Sequence, residues 1–203
     1  MKLRNTGDND LVGYFSPNIV SNLSVYYRRS GEDFTEYTCN RQNQPHSFIV
    51  IPRILKPQQE TEKEEILNYD TKRDQFVLNK PGTYEFKAIY WDSPGAANAR
   101  IESNTIIVKV LPVPENDNEA FNIYNHKGIA LLIQQDSWGS DVNIKDVLQR
   151  SALLIERYPS SLYTVHVQEQ FIPWLKRRIS ANIASEQEKE IYQLVKEKIP
   201  NVE

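Results

Sequence analysis

Cysteine is nearly absent: Cys39 stands alone in 203 residues. No intrachain disulfide can pin the fold, so any β-structure must be held by packing. Glycine is scarce, at 7 residues, and none forms a phosphate-cradling loop or a G-x-S-x-G elbow, which argues against nucleotide and serine-hydrolase chemistry. The three histidines, His46, His126 and His166, lie far apart. None has H-x-x-x-H or H-E-x-x-H spacing, and with one cysteine they offer no recognised zinc pattern. No metal and no cofactor is expected.

An excess of one charge is also missing. With 24 basic against 27 acidic residues, no global field draws the chain to nucleic acid or to an anionic membrane. No apolar run approaches the roughly 18–20 residues of a membrane span; runs such as Ile129–Ile133 and Ile106–Val108 are far too short. The stretch from Met1 to Phe15 holds no signal-peptide core. The expected compartment is extracytoplasmic if a leader was removed before residue 1, and cytoplasmic otherwise.

What is present first is β-pattern. Phe76–Trp91, FVLNKPGTYEFKAIYW, reads as the end of one strand, a Pro81-Gly82 turn and a long alternating strand. Tyr84, Phe86, Ala88 and Tyr90 fall on one face of it, and Glu85, Lys87, Ile89 and Trp91 on the other. Before it, Leu11–Phe15, Ile19–Tyr27, Phe34–Cys39 and Ser47–Leu55 are strand-like. They are separated by Ser16-Pro17-Asn18, by the polar connection Arg28–Asp33 and by the loop Asn40–His46. Pro52 confines its segment to an edge or a strand end. The acidic stretch Glu60–Glu65 is read as a solvated loop leading to a strand near Glu64–Tyr69, and Gln75–Leu78 as another short strand. Asn104–Leu111 closes the series, with Ile106, Val108 and Val110 on one face. Strands at roughly 8–12-residue spacing suit a sandwich.

Pro112-Val113-Pro114 and the polar Glu115–Asn118 mark a boundary, beyond which the period becomes that of a helix. Phe121, Tyr124, Gly128, Leu131 and Leu132 share one helical face, capped by Asp117 or Asn118. Ile144 to Tyr158 gives a second amphipathic helix, stopped by Pro159. Ser160 or Ser161 caps a third, which Pro173 should kink or divide. Ser185-Glu186-Gln187-Glu188 is a capping box opening the last. The expected fold class is α+β by segregation: an antiparallel immunoglobulin-like β-sandwich over 1–112 and an all-α segment of about four helices over 113–203.

Two stretches carry resemblances. PGTY and the alternation after it resemble the tyrosine-corner region of immunoglobulin-like sandwiches, with Tyr84 as the corner and Phe86 where the second cysteine stands in disulfide-bonded members. The resemblance implies a disulfide-free sandwich in which the Tyr84 hydroxyl bonds to backbone a few residues upstream. Ala152–Phe171, ALLIERYPSSLYTVHVQEQF, looks like the joint of a single tetratricopeptide-type helical hairpin. Only one copy is present, so no repeat array is implied.

Chemistry-bearing constellations are few. Cys39 reads as a small core residue rather than a nucleophile served by His46. Asp8-Asn9-Asp10 and Glu115–Glu119 are oxygen-rich, but turn formation and helix capping explain them better than calcium. Lys176-Arg177-Arg178 reads as a solvated helix end. The loop Asp92–Ser103 is the candidate binding tip, with Trp91 and Asp92 at its start and Arg100 near its end. The expectation is a non-enzymatic binding or interaction module with a protein partner, from a bacterial envelope or surface protein. The alternatives are a protease inhibitor acting through an exposed loop and an accessory domain of a larger enzyme.

Overall fold

A computed structural model describes residues 1–13, 22–39, 53–62, 64–91, 100–134 and 142–198. The strands are β1 Lys2–Arg4, β2 Leu11–Gly13, β3 Leu23–Arg29, β4 Thr35–Glu36, β5 Arg53–Leu55, β6 Glu60–Glu62, β7 Tyr69–Asp70, β8 Gln75–Phe76, β9 Gly82–Trp91, β10 Arg100–Glu102 and β11 Ile106–Val110. The helices are α1 Asn118–Tyr124, α2 Lys127–Ile133, α3 Ile144–Arg157, α4 Leu162–Ser180 and α5 Glu186–Lys198. The chain divides into two compact units, Met1–Arg73 with Val77–Leu111, and Asp74–Phe76 with Pro112–Glu203. Apart from β8, the strands lie in the first unit, with antiparallel pairing, and the helices lie in the second, an α+β arrangement.

The β-rich unit is built on β9. It is the longest strand, and its first face, Tyr84 to Tyr90, is the alternation that the sequence shows. β3 pairs with it antiparallel from Leu23↔Tyr90 to Arg29↔Tyr84, and β4 lies on the far side of β3. The opposite edge of β9 is shared. β10 pairs with its end, from Arg100↔Trp91 to Glu102↔Ile89, and β11 with its start, from Ile106↔Phe86 to Val110↔Gly82. Between them Ser103, Asn104 and Thr105 stand opposite only Lys87 and Ala88. That extra residue is a β-bulge, and it resets the alternation. Ile101 and Ile106 face the same side of the sheet, opposite Tyr90 and Phe86, which unbroken period-2 pairing forbids. The Ser103 hydroxyl holds the bulge, accepting from Ala88 N at 2.9 Å and donating to Asn104 O at 2.7 Å.

Two further antiparallel pairs, β1 with β6 and β2 with β5, complete the described pairing within this unit. They correct two expectations. The Met1–Phe15 stretch contributes β1, which had no strand reading, and Glu60–Glu62 is a strand rather than a solvated loop. Charge explains the match: Lys2 lies 3.0 Å from Glu60 and 3.9 Å from Glu62, and Arg4 lies 3.8 Å from Glu60. Leu3, between the two cations, turns into the core. The strand expected near Glu64–Tyr69 is reduced to Tyr69–Asp70, and that at Gln75–Leu78 to Gln75–Phe76. The expected turn Ser16–Asn18, the loop Asn40–His46 and Pro52 lie outside the described residues.

The core of this unit gathers Leu3, Leu23, Val25, Tyr27, Tyr37, Cys39, Val77 and Tyr90. Cys39 is fully buried, as a small apolar residue would be. Gly82 adopts φ +147°, where a side chain is strained, and a Cβ there would lie 2.9 Å from Arg29 Nε. Tyr84, buried two residues on, donates from its hydroxyl to Lys80 O at 2.9 Å and to Asn79 Oδ1 at 3.2 Å. The tyrosine thus ties the strand to the turn before it.

In the helical unit the single first helix expected from Asp117 or Asn118 is two. The break falls at Asn125-His126, where His126 is extended and its Nδ1 accepts from Gly128 N at 3.2 Å. Asp117 stands at the first N-cap but makes no side-chain cap bond. Residues Gly128 to Ile133 of α2 are all buried, so this helix is core on every side rather than amphipathic. Pro173 does not divide α4, which runs unbroken from Leu162 to Ser180. Phe171, Ile172 and Leu175 bury on either side of it, and tertiary packing overrides the lost backbone bond. The capping box forms in both directions: Ser185 N donates to Glu188 Oε2 at 2.5 Å, and Glu188 N to Ser185 Oγ at 3.3 Å. At the joint after α3, Ser161 caps α4, and Thr164 Oγ1 donates to Leu154 O at 3.2 Å and Tyr158 O at 2.6 Å.

Candidate functional site

The inward face of the β9 sheet is covered unevenly. Toward β3 and β4 it is sealed by Leu3, Tyr37, Cys39 and Val77, whereas toward β11 the cover gives out. Phe86 and Ala88 are only partly buried, and Ile106 is 58% exposed. A cleft of about 520 Å³ remains. Its floor is Leu23, Val25, Phe86 and Ala88 from the sheet, its open side is Ile106 and Val108, and Met1, Leu67 and Leu78 stand around it. The volume falls within the ~300–1,000 Å³ typical of small-molecule sites, and the lining is mostly apolar with a few polar groups, as such sites are. The bulge is what builds it. Without the extra residue, Ile106 and Val108 turn to the opposite face.

The polar members of the lining are Lys2, Glu65, Lys87, Ser103 and Asn104. Lys2 is engaged by Glu60 and Glu62, and these carboxylates raise its pKa above the ordinary lysine value. Lys87 Nζ bonds Glu102 at 2.7 Å, and the hydrogen bond and charge of the lysine hold the Glu102 carboxyl below the ordinary value. Ser103 is committed to the bulge. Asn104 is exposed.

Of the residues expected at a binding tip, Trp91 and Arg100 are brought together and Asp92 lies outside the described residues. Arg100 is directly opposite Trp91 in register, with its guanidinium 6.0 Å from the indole centre. The expectation for Arg100 is corrected in one respect: it belongs to strand β10 rather than to a loop running to Ser103. Its charge is shared with Glu102 at 3.2 Å. On the same face Phe34 is sandwiched by Arg28 and Lys87, at 4.4 and 4.7 Å from its ring centre.

Comparison of the chain with protein-family models, curated proteins and solved structures finds no match.

Other charged clusters are structural. Asp70 is fully buried and accepts from Tyr27 Oη at 3.0 Å, Arg73 Nη1 at 3.0 Å and the Lys72 and Arg73 backbone N–H groups at 3.0 and 3.1 Å. A carboxylate with four donors is saturated. Asn5 plays the same part beneath Asp8-Asn9-Asp10, donating to Leu55 O and Asn9 O and accepting from Gly7 N. His126 is held at both nitrogens, by Gly128 N and by Asp146 at 3.0 Å, which leaves neither available as a base. Burial and the nearby Arg150 lower its pKa, although Asp146 pulls the other way. His166 lies tilted against Tyr124, with ring centres 6.4 Å apart, and His46 lies outside the described residues.

Arg178 departs from the expected solvated helix end. It forms an ion pair with the buried Glu188, donates to Ile183 O at 3.1 Å and lies 5.1 Å over the Trp174 ring. Burial pushes the Glu188 carboxyl up, but the Arg178 and Ser185 hydrogen bonds outweigh it and leave the pKa below the ordinary value. Among the described residues no three of His, Cys, Asp or Glu are gathered as metal ligands are, and no helix is long and apolar enough to cross a membrane.

The cleft was not visible to sequence reasoning. Its one readable sign is Ser103-Asn104 standing between Arg100-Ile101-Glu102 and the β-branched run Thr105–Val108, and such an interruption reads equally well as a loop end.

Proposed function

We propose that this chain is a non-enzymatic binding or interaction module, and that the cleft beside β11 is where it binds. The carrying observation is a mostly apolar lining in which Lys2 is paired with Glu60 and Glu62, while the Lys87 ammonium lies on the other face of the sheet, paired with Glu102. Such a surface favours burial of an apolar group by about 25 cal/mol per Å² and offers no aligned acid, base and nucleophile. The immunoglobulin-like reading of the β-rich unit belongs to the same proposal. It draws on the Tyr84 bond to Lys80 O and on the central pairing of β9 with β3.

Binding is tested with N-phenyl-naphthylamine, whose emission rises in apolar surroundings. The full chain should enhance it, and Ala88→Trp, which fills the cleft floor, should abolish the enhancement while the far-UV spectrum is retained. An unchanged signal in a folded Ala88→Trp variant would remove the cleft from consideration.

A second site is supported by the Trp91–Arg100 pair, two of the residues expected at the binding tip. Alanine at both positions should weaken capture of a protein partner while leaving dye uptake unchanged.

A further inference from the structure

The charge and polarity of the cleft lining specify the class of its ligand. We infer that it takes an uncharged apolar molecule bearing one hydrogen-bonding head, such as a long-chain alcohol or its ester. This inference rests on the binding reading above.

An acid head needs a cation to receive it, because an unpaired carboxylate is costly to take out of water. Neither lysine of the lining meets that need. The Lys2 ammonium is held between Glu60 and Glu62, and the Lys87 ammonium lies on the other face of the sheet, against Phe34 and Glu102. Recruiting Lys2 for a ligand competes with a pair already made. A neutral molecule meets no such cost. Its chain would lie along Leu23, Val25, Phe86 and Ala88, with Ile106 and Val108 along its open side.

One end of the cleft is polar without being charged. Ser103 and Asn104 stand there. The Ser103 hydroxyl spends its proton on Asn104 O and accepts from Ala88 N, which leaves one lone pair. The exposed Asn104 amide supplies both donors and an acceptor. A hydroxyl or ester carbonyl is complementary to that pair. The bulge that sets Ile106 and Val108 on the cleft face therefore also places the polar end.

The test is displacement of N-phenyl-naphthylamine from the full chain by decanol and by decanoate, which share a chain length and differ in charge. Decanol should displace at a concentration at least about ten-fold lower than decanoate. Ile106→Lys, at an exposed position that tolerates the change, should narrow that gap by admitting the acid. Ile183→Lys, on an exposed residue of the helical unit, should not. Decanoate displacing as well as decanol would overturn the neutral class while leaving the cleft as the binding place. A gap untouched by Ile106→Lys in a folded variant would overturn the placement of the ligand beside β11. No dye uptake at all would defeat the binding reading, and this inference with it.

Discussion

The two units close their cores by opposite means. The helical unit packs Ile129, Leu132, Val147, Leu154, Ile155, Val167, Phe171, Leu175 and Val195 into one aliphatic cluster around α2, a helix buried on every side. The β-rich unit relies on Tyr27, Tyr37, Tyr84 and Tyr90, whose bulk comes with polar tips, and on the buried Asp70 and Asn5. Among the described residues it also leaves nine large apolar side chains exposed, from Leu11 to Leu111, against four in the helical unit. Helices bury a face by local periodicity, whereas a sheet needs a second layer delivered by distant segments. The unit that depends on distant segments is the one with the open cleft.

The comparison breaks first, if at all, at Phe171. It is fully buried among aliphatic neighbours, so Phe171→Ala should cost about 3–5 kcal/mol. Hydrogen exchange should accelerate across α3–α5 far more than in β9. Equal acceleration in both would show that the two cores are not separate.

Gly128→Ala comes next. A Cβ there collides with Val147 Cγ2, and overpacking of this kind costs about 1–3 kcal/mol. A melting temperature at or above that of the unchanged chain would mean that α2 and α3 approach less closely.

The Arg178–Glu188 pair should give the helical unit a pH dependence of known sign. The folded-state pKa of Glu188 lies below the ordinary 4.5. Its stabilisation is therefore fully present above that ordinary value and is lost as pH falls through the lowered one. Glu188→Gln should flatten the acid limb of a stability-against-pH curve. Arg178→Met should cost about 1.5–3 kcal/mol near neutrality through lost charged hydrogen bonds. An acid limb identical in Glu188→Gln would contradict the lowered pKa.

Smaller effects belong to the β-rich unit. Tyr84→Phe removes the bond to Lys80 O and should cost about 1 kcal/mol, seen as a lower denaturant midpoint without loss of dye binding. Equal midpoints would remove the tyrosine-corner assignment. Arg100→Ala should change stability by less than about 1 kcal/mol, since its partners Glu102 and Trp91 are met at the surface.

Residues next to one another in sequence wrote most of the helical unit: the Ser185–Glu188 capping box, the stop before Pro159 and the cap at Ser161 are all formed. In the β-rich unit the long strand β9, its two faces and the upstream bond of Tyr84 were equally legible, because alternation and turn chemistry are local. The division into a strand-bearing and a helix-bearing stretch followed from the same periods.

The tertiary structure alone decided the rest. Lys2–Arg4 forms a strand by pairing with Glu60–Glu62, nearly sixty residues on, with Leu3 turned into the core and opposite charges meeting at the surface. The helix expected to contain Gly128 breaks because His126 caps a segment that the core buries entire. Pro173 is tolerated because Phe171, Ile172 and Leu175 hold its helix in place. The cleft exists because one residue too many between Glu102 and Ile106 turns β11 over against β9. Register is a relation between two strands, and no period within one of them can state it.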